Sequence, residues 1–249
     1  MSEQNMYDNE VFFKGYKQLR ETDLNYNVQL EQPAMTKLLP DISGKTVLDL
    51  GCGFCYNCLD FVKRGASRVT GIDISKKMLS EAKEKNTDEK IKYINMSMTD
   101  IDKLKEKFDL VYSSLAFHYT EDFESLARNI YSLLNKGGYL LFSQEHPFIT
   151  ATIGGHQHYN KDENGNYTSF TFSNYGQPGK RDTYWYVEGV EKYHRRFSDI
   201  ITALCNAGFI IDTVCEPVPN EKADEKIPFI FEKEQIKPTF LIVKARKYN

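Results

Sequence analysis

Between residues 46 and 145, strand-sized apolar runs alternate with helix-sized polar stretches, and that rhythm admits few architectures. The runs fall at 46–50, 68–74, 91–94, 108–112 and 139–142, each rich in β-branched or aromatic residues. Repeated strand–helix alternation builds a mostly parallel sheet with helices on both faces, a doubly wound α/β fold. Helix punctuation agrees. Ser75 is placed to N-cap the stretch 76–86, where Met78, Leu79 and Ala82 share one face. Asn135-Lys136-Gly137-Gly138 supplies a basic residue and a glycine stop after the stretch 124–134.

The rhythm breaks at 146–196, where Gly, Asn and Asp turns interrupt many aromatics, and this stretch reads as a strand-rich insertion. It resumes with a helix at 197–206, a stop at Gly208, and strands near 209–216 and 239–244. The expected organisation is an N-terminal helical cover (1–40), an α/β domain (41–145 and 197–249) and a cap insertion (146–196). A chain of 249 residues with 41% hydrophobic and 27% charged residues suits one such domain. A formal charge of −3 gives no electrostatic case for nucleic acid or an anionic membrane. No window approaches the roughly 20 apolar residues of a membrane span, and the acidic, polar start lacks the regions of a signal peptide. A cytoplasmic protein, monomeric or homodimeric, is therefore expected. Its five cysteines, an odd number, read as free thiols.

The segment Val47-Leu48-Asp49-Leu50-Gly51-Cys52-Gly53 runs a strand straight into a Gly-x-Gly turn and a helix start. Glycines there let the backbone turn sharply and approach a ligand with no Cβ in the way. Asp73 ends the second strand about 20 residues further on, where a carboxylate can accept hydrogen bonds from ribose hydroxyls. These features leave dinucleotides and other adenosine cofactors both open.

The ordered segments VLDLGCGFC, VTGIDISKKML, FDLVYSSLAFHY and LLNKGGYLLFSQEHP resemble the class I S-adenosylmethionine (SAM) dependent methyltransferases. The likeness is nearest to the small-molecule group related to ubiquinone and menaquinone methyltransferases, and it extends to FFKGYKQLRETDLNYNVQLEQPAM and KYHRRFSDIITALCNAGFIIDTVCEP. The resemblance implies a Rossmann-like, seven-stranded sheet, SAM as cofactor, S-adenosylhomocysteine (SAH) as product and a small-molecule acceptor. It further implies that Asp49, Gly51, Cys52 and Gly53 shape the turn around the methionine part. Asp73 would hold the ribose, Ile74 and Met78 lie near the adenosine, and Met98 and Thr99 flank the adenine. Ser114 and Leu115 would line the cofactor near its sulfonium, with His118 beside the transferred methyl. In place of the family's usual glycine stands Cys55, whose side chain is expected to crowd the cofactor.

A general base would help a phenol, enol or acid acceptor, and an imidazole suits that task near neutral pH. His118, just beyond the fourth strand on the ligand-bearing edge, is the first candidate, with packing as its alternative role. Glu145 and His146 leave the fifth strand on the same edge, either as catalytic groups or as a corner closed by Pro147. His194 with Arg195 and Arg196 follows the insertion, and the group is either an acid-binding site or an exposed charge run. Tyr184 and Trp185 would wall an apolar acceptor or form a small β core. Tyr16 and Arg20, one helical turn apart, would close over the cofactor carboxylate or dock their helix.

Cys52, Cys55 and Cys58 have the spacing of a thiolate cluster, but the fourth cysteine and following proline of the usual motif are missing. With Cys52 in the turn and Cys58 on the helix, the sulfurs are expected to lack a common focus, so no metal is expected. His156 and His158 on a Gly/Asn-rich loop read as solvated. Competing functions are a silent SAM-binding protein and, disfavoured by the later motifs, an NAD(P)-linked oxidoreductase.

Overall fold

The computed structural model describes residues 4–154 and 157–248. Helices α1 (Glu10–Arg20) and α2 (Gln32–Leu38), joined through a π-helical turn at Asn27–Glu31, precede the sheet. Then come β1 (Thr46–Leu50), α3 (Tyr56–Lys63), β2 (Arg68–Asp73), α4 (Lys76–Lys85), β3 (Ile91–Asn95) and β4 (Phe108–Ser113). The first half closes with α5 (Phe123–Leu133) and β5 (Leu134–Glu145). A short α6 (Pro147–Thr150) leads into two hairpins, β6 (His158–Lys161) with β7 (Tyr167–Thr171), and β8 (Gly179–Trp185) with β9 (Val187–His194). The chain continues through α7 (Phe197–Ala207), β10 (Phe209–Cys215), α8 (Glu221–Lys226), α9 (Ile230–Ile236) and β11 (Phe240–Lys247).

Seven strands form one sheet in the order β10-β11-β5-β4-β1-β2-β3. All neighbours from β5 to β3 are parallel, and β11 runs antiparallel to both β10 and β5. This is a doubly wound Rossmann-like sheet. Its order reverses between β1 and β4, and ligands of such sheets bind outside the carboxyl ends of the strands at that point.

Strand alternation divides the core in two. Leu48, Val111, Leu140 and Val243 face α5 and α7, whose Leu126, Ile130, Ile200 and Leu204 are buried against them. Val47, Leu110, Leu141 and Ile242 face the other way, onto Met35 of α2, Phe61 of α3 and Leu79 of α4. Burial on both faces explains why the parallel strands read as unbroken apolar runs rather than alternating ones.

Two expected helix stops meet different fates. Gly208 ends α7 at φ +101°, a backbone value glycine adopts without strain. Helix α5 instead stops at Leu134 in extended conformation, and β5 begins at once, pairing Leu134 with Phe108. Gly137 and Gly138 therefore lie inside the strand, beside a register shift between Phe108 and Leu110, where a Cβ on Gly138 would stand 3.1 Å from the Asp109 carbonyl oxygen. Gly138 serves close strand approach and Gly137 a left-handed backbone at φ +72°, and neither caps the helix.

Candidate active site

The turn after β1 is shaped by backbone conformations that few side chains tolerate. Gly51 has φ +71° and Gly53 φ +54°. The amides of Gly51 and Cys52 both donate to the Ile72 carbonyl, at 2.9 and 3.0 Å, which fastens the turn to β2. A Cβ on Gly51 would lie 2.6 Å from that of Ala116, so the two chain segments touch with no room for a side chain. Asp73, at the tip of β2, accepts from the Gly53 amide through Oδ2 and from the Ser75 amide through Oδ1, each at 2.8 Å. Burial pushes its carboxyl up to about 6, against the opposing pull of those two amides.

Over this turn lies a cavity of about 580 Å³. Gly51, Gly53, Asp73, Ile74 and Met78 line it from the β1 and β2 side. Met98 and Thr99 after β3, Ser114 and Leu115 after β4, and Tyr16 of α1 complete the set of expected cofactor residues found there. The arrangement fits adenosine and methionine moieties: a carboxylate able to accept from hydroxyls, a cradle that a Cβ would fill, and a Met-rich apolar wall.

Three residues expected at the cofactor stand behind the wall. Asp49 is buried, its Oδ2 accepting from the Cys58 thiol at 3.4 Å while Oδ1 has no partner among the described residues. Burial pushes this carboxyl well above its usual range. Cys52 turns toward the core beneath the turn. Arg20 donates to the Asn27 side chain, which donates to Glu31 Oε2 at 2.7 Å. Buried Glu31 in turn accepts from the hydroxyls of Ser114, at 2.8 Å, and Ser143, at 2.5 Å. Arg20 thus reaches the cavity only through a relay, and the relay's centre, Glu31, carried no motif in the sequence.

Cys55 does not crowd the cavity. It occupies φ +61°, the conformation glycine would favour, and points its fully buried thiol into the core. A left-handed non-glycine residue costs about 1–2 kcal/mol. The common focus missing from the sequence reading also exists, because the three sulfurs lie within 4.8 Å of one another.

The structure brings His118 and Glu145 together, but neither they nor His146, Tyr184, Trp185, His194 and Arg195 line the cavity. His118 is buried, its Nδ1 accepting from the Glu145 amide at 3.3 Å, and burial pushes the imidazole down to about 4. It does not line the cavity; its neighbour Tyr119 does, with ring centroids 4.3 Å apart. Burial alone would raise the Glu145 carboxyl, but Lys192, donating at 2.6 Å, and the adjacent His118 hold it below the usual range. His146 caps α6 by accepting from the Phe148 amide at 3.2 Å and faces Glu216 at 3.1 Å. It forms the corner closed by Pro147.

In the insertion, Tyr184 is exposed, and Trp185 packs edge-on against Tyr16 and Phe12. His194 donates through Nε2 to the Tyr175 carbonyl at 2.9 Å, leaving Nδ1 to accept from Thr150 at 3.0 Å. Arg195 donates to the carbonyls of Phe117, Thr120 and Glu121, stapling the loop after β4. His158 is exposed on β6, and His156 lies outside the described residues.

Several wall residues went unread. From β8 and β9 the cavity receives Lys180, Val190, Glu191 and Tyr193, while Lys192 and His194 are buried outside it. Successive strand residues face opposite ways, so a one-residue offset selects the wrong side chain. Met6, Tyr7 and Phe12 close the N-terminal side. Gln4 bridges to the hairpin, donating to the Gly189 carbonyl at 2.7 Å and accepting from the Glu191 amide at 2.8 Å. The Asn9 side chain accepts the Val11 and Phe12 amides to start α1, a capping signal present in the sequence but unused.

Comparison with known proteins agrees with this geometry. The methyltransferase-domain family matches residues 48–142. An S-adenosylmethionine dependent methyltransferase from Mesorhizobium loti superposes with a TM-score of 0.78 and 37% identity, covering 87% of this chain and 97% of that one. The chain belongs to the SAM-dependent methyltransferases. A Haemophilus influenzae protein is 34% identical over 97% of this methyltransferase and 96% of its own length. The ubiquinone biosynthesis O-methyltransferase of Chromobacterium violaceum is 34% identical over 41% of this chain and 45% of that one. SAM is accordingly the cofactor of this enzyme. Among the described residues no helix is long and apolar enough to cross a membrane.

Proposed function

We propose that this methyltransferase transfers the methyl group of SAM to an oxygen, nitrogen or carbon nucleophile of a small molecule held between the glycine turn and the β8–β9 hairpin. The observation that carries the reading is a cavity of about 580 Å³, bounded by Asp73 and Gly51 on one side and by Tyr7, Lys180 and Glu191 on the other. Its size falls within the roughly 300–1,000 Å³ of small-molecule sites. Bound SAM supplies a methyl group on a sulfonium, an electrophile that needs chiefly alignment with its acceptor. Asp73 accepts the ribose hydroxyls, the Met78 and Met98 side chains pack on the adenine, and Ser114 faces the methionine part with its hydroxyl oriented by Glu31.

Burial holds the Tyr7 and Tyr119 hydroxyls protonated, and their oxygens stand 3.3 Å apart. They act as hydrogen-bond partners for the acceptor, not as bases. His118 is a positioning residue: neutral, out of the cavity, and holding the Tyr119 segment against β5. Catalysis then rests on proximity and orientation, worth about 7–11 kcal/mol when the reacting atoms are well aligned.

Calorimetric titration with SAM, SAH and NAD, paired with SAH release on fractionated cell extract, tests this. Selective SAM and SAH binding with turnover confined to the low-molecular-weight fraction is expected. NAD binding, or turnover only on protein or nucleic acid, overturns it.

A further inference from the structure

Beneath the glycine turn, three thiols from three local settings converge. Cys52 belongs to the turn, Cys55 precedes α3 in left-handed conformation, and Cys58 lies in the first turn of α3. Their sulfurs lie within 4.8 Å of one another, and the pair Cys52–Cys55 within 3.1 Å. Gly71 on β2 leaves the space they fill, since a Cβ there would come within 3.0 Å of the Cys52 sulfur and 3.1 Å of the Cys58 sulfur. An ion bound about 2.3 Å from each of three coplanar sulfurs sets those sulfurs about 4 Å apart. The side chains therefore stand close to a ligating arrangement without rebuilding the turn.

A tetrahedral ion such as zinc asks for a fourth donor. Asp49, whose Oδ2 is 3.4 Å from the Cys58 sulfur, falls outside the converging group. Thiolate softness and three-fold coordination favour copper(I) among common ions. We propose that Cys52, Cys55 and Cys58 form a three-thiolate site for one soft, low-coordinate metal ion of the copper(I) type, separate from the methyl-transfer cavity. On binding, S–H bonds give way to S–metal bonds, the displaced protons pass to solvent, and no electron is transferred. The ion's single positive charge offsets one of the three thiolate charges, in a core that includes Met35, Val47 and Phe61.

The test is anaerobic titration of the reduced full-length protein with copper(I) held by a chromogenic chelator. One equivalent should be withdrawn from the chelator, and X-ray absorption of the loaded protein should show three sulfur neighbours. Cys58→Ser, checked for folding by circular dichroism and SAH binding, should hold copper(I) at least a hundredfold more weakly. That bound is set by the 10–100-fold cost of disturbing even the partners of metal ligands. A Cys205→Ser/Cys215→Ser double variant should bind as tightly as the parent. No uptake, two or fewer sulfur neighbours, unchanged affinity in folded Cys58→Ser, or loss of uptake in the double variant would each overturn the proposal. The absorption measurement needs only the parent protein, so it decides the matter even where Cys58→Ser does not fold.

Discussion

On the inner wall of the cavity the decisive positions are set by backbone, inside buried strands and their turns, whereas the roof is assembled from side chains that meet across the length of the chain. Gly51, Gly53 and Asp73 hold their places through amides of adjacent parallel strands, within a closed core. The roof depends on Gln4 reaching Gly189 and Glu191, Tyr7 reaching Tyr119, and Asp8 accepting from the Ser75 hydroxyl at 2.6 Å. On the proposed function, the cofactor meets the side fixed by backbone, and the acceptor the side assembled from long-range side-chain contacts.

The contrast can be broken most forcefully at Asp73. Asp73→Ala should weaken SAH binding at least a hundredfold in calorimetry, because charge-assisted hydrogen bonds of about 1.5–3 kcal/mol each are lost to two ribose hydroxyls. Retained affinity would remove Asp73 from the cofactor site.

The same carboxylate yields opposite pH responses. Its folded pKa, about 6, lies above the ordinary 3.8, so the folded protein binds this proton more tightly than the unfolded chain does. Its contribution therefore stabilises the unliganded protein as pH falls from about 6 toward 4 and disappears as pH rises through about 6. Binding of SAH, which uses the carboxylate, should weaken about tenfold per pH unit below about 6. Parallel titrations of both properties in the parent and in Asp73→Asn separate this group from the rest, since the asparagine variant should lose the affinity slope.

Gly51→Ala should cost about 2–4 kcal/mol, combining the left-handed backbone with a Cβ–Cβ approach of 2.6 Å to Ala116. In a chain of this size that lowers Tm by about 4–16 °C in calorimetric melting. On the roof, Gln4→Ala should leave Tm within about 2 °C while raising the KM for acceptor a few-fold, two exposed hydrogen bonds being worth little to the fold. An equal effect of Gln4→Ala and Gly51→Ala on Tm would dissolve the distinction between wall and roof.

Legibility in the sequence follows the same line. The strand rhythm, the Ser75 cap, the Gly208 stop and the glycine turn are local, and each local preference agrees with the fold. Ten of the expected cofactor positions, from Tyr16 to Leu115, line the cavity. Toward the hairpin, the cavity is lined not by His118 and His194 but by their sequence neighbours Tyr119 and Tyr193. Neighbours in sequence point to different sides, and only tertiary packing decides which side is the cavity. Glu31 and Gln4 were invisible for a related reason, since their partners lie 83 and more than 180 residues away. Cys55 looked like an obstruction because a positive φ cannot be seen in a side-chain alphabet.

The placement of β11 bears on how the protein is made. Strand β5 pairs Glu145 with Phe240, a separation of 240 − 145 = 95 residues, and both hairpins, α7 and β10 intervene. At about 5–20 residues per second, a ribosome needs about 5–20 s to supply that partner. For that interval the parallel strands from β3 to β5 carry an open hydrogen-bonding edge, the kind of surface on which nascent chains join one another.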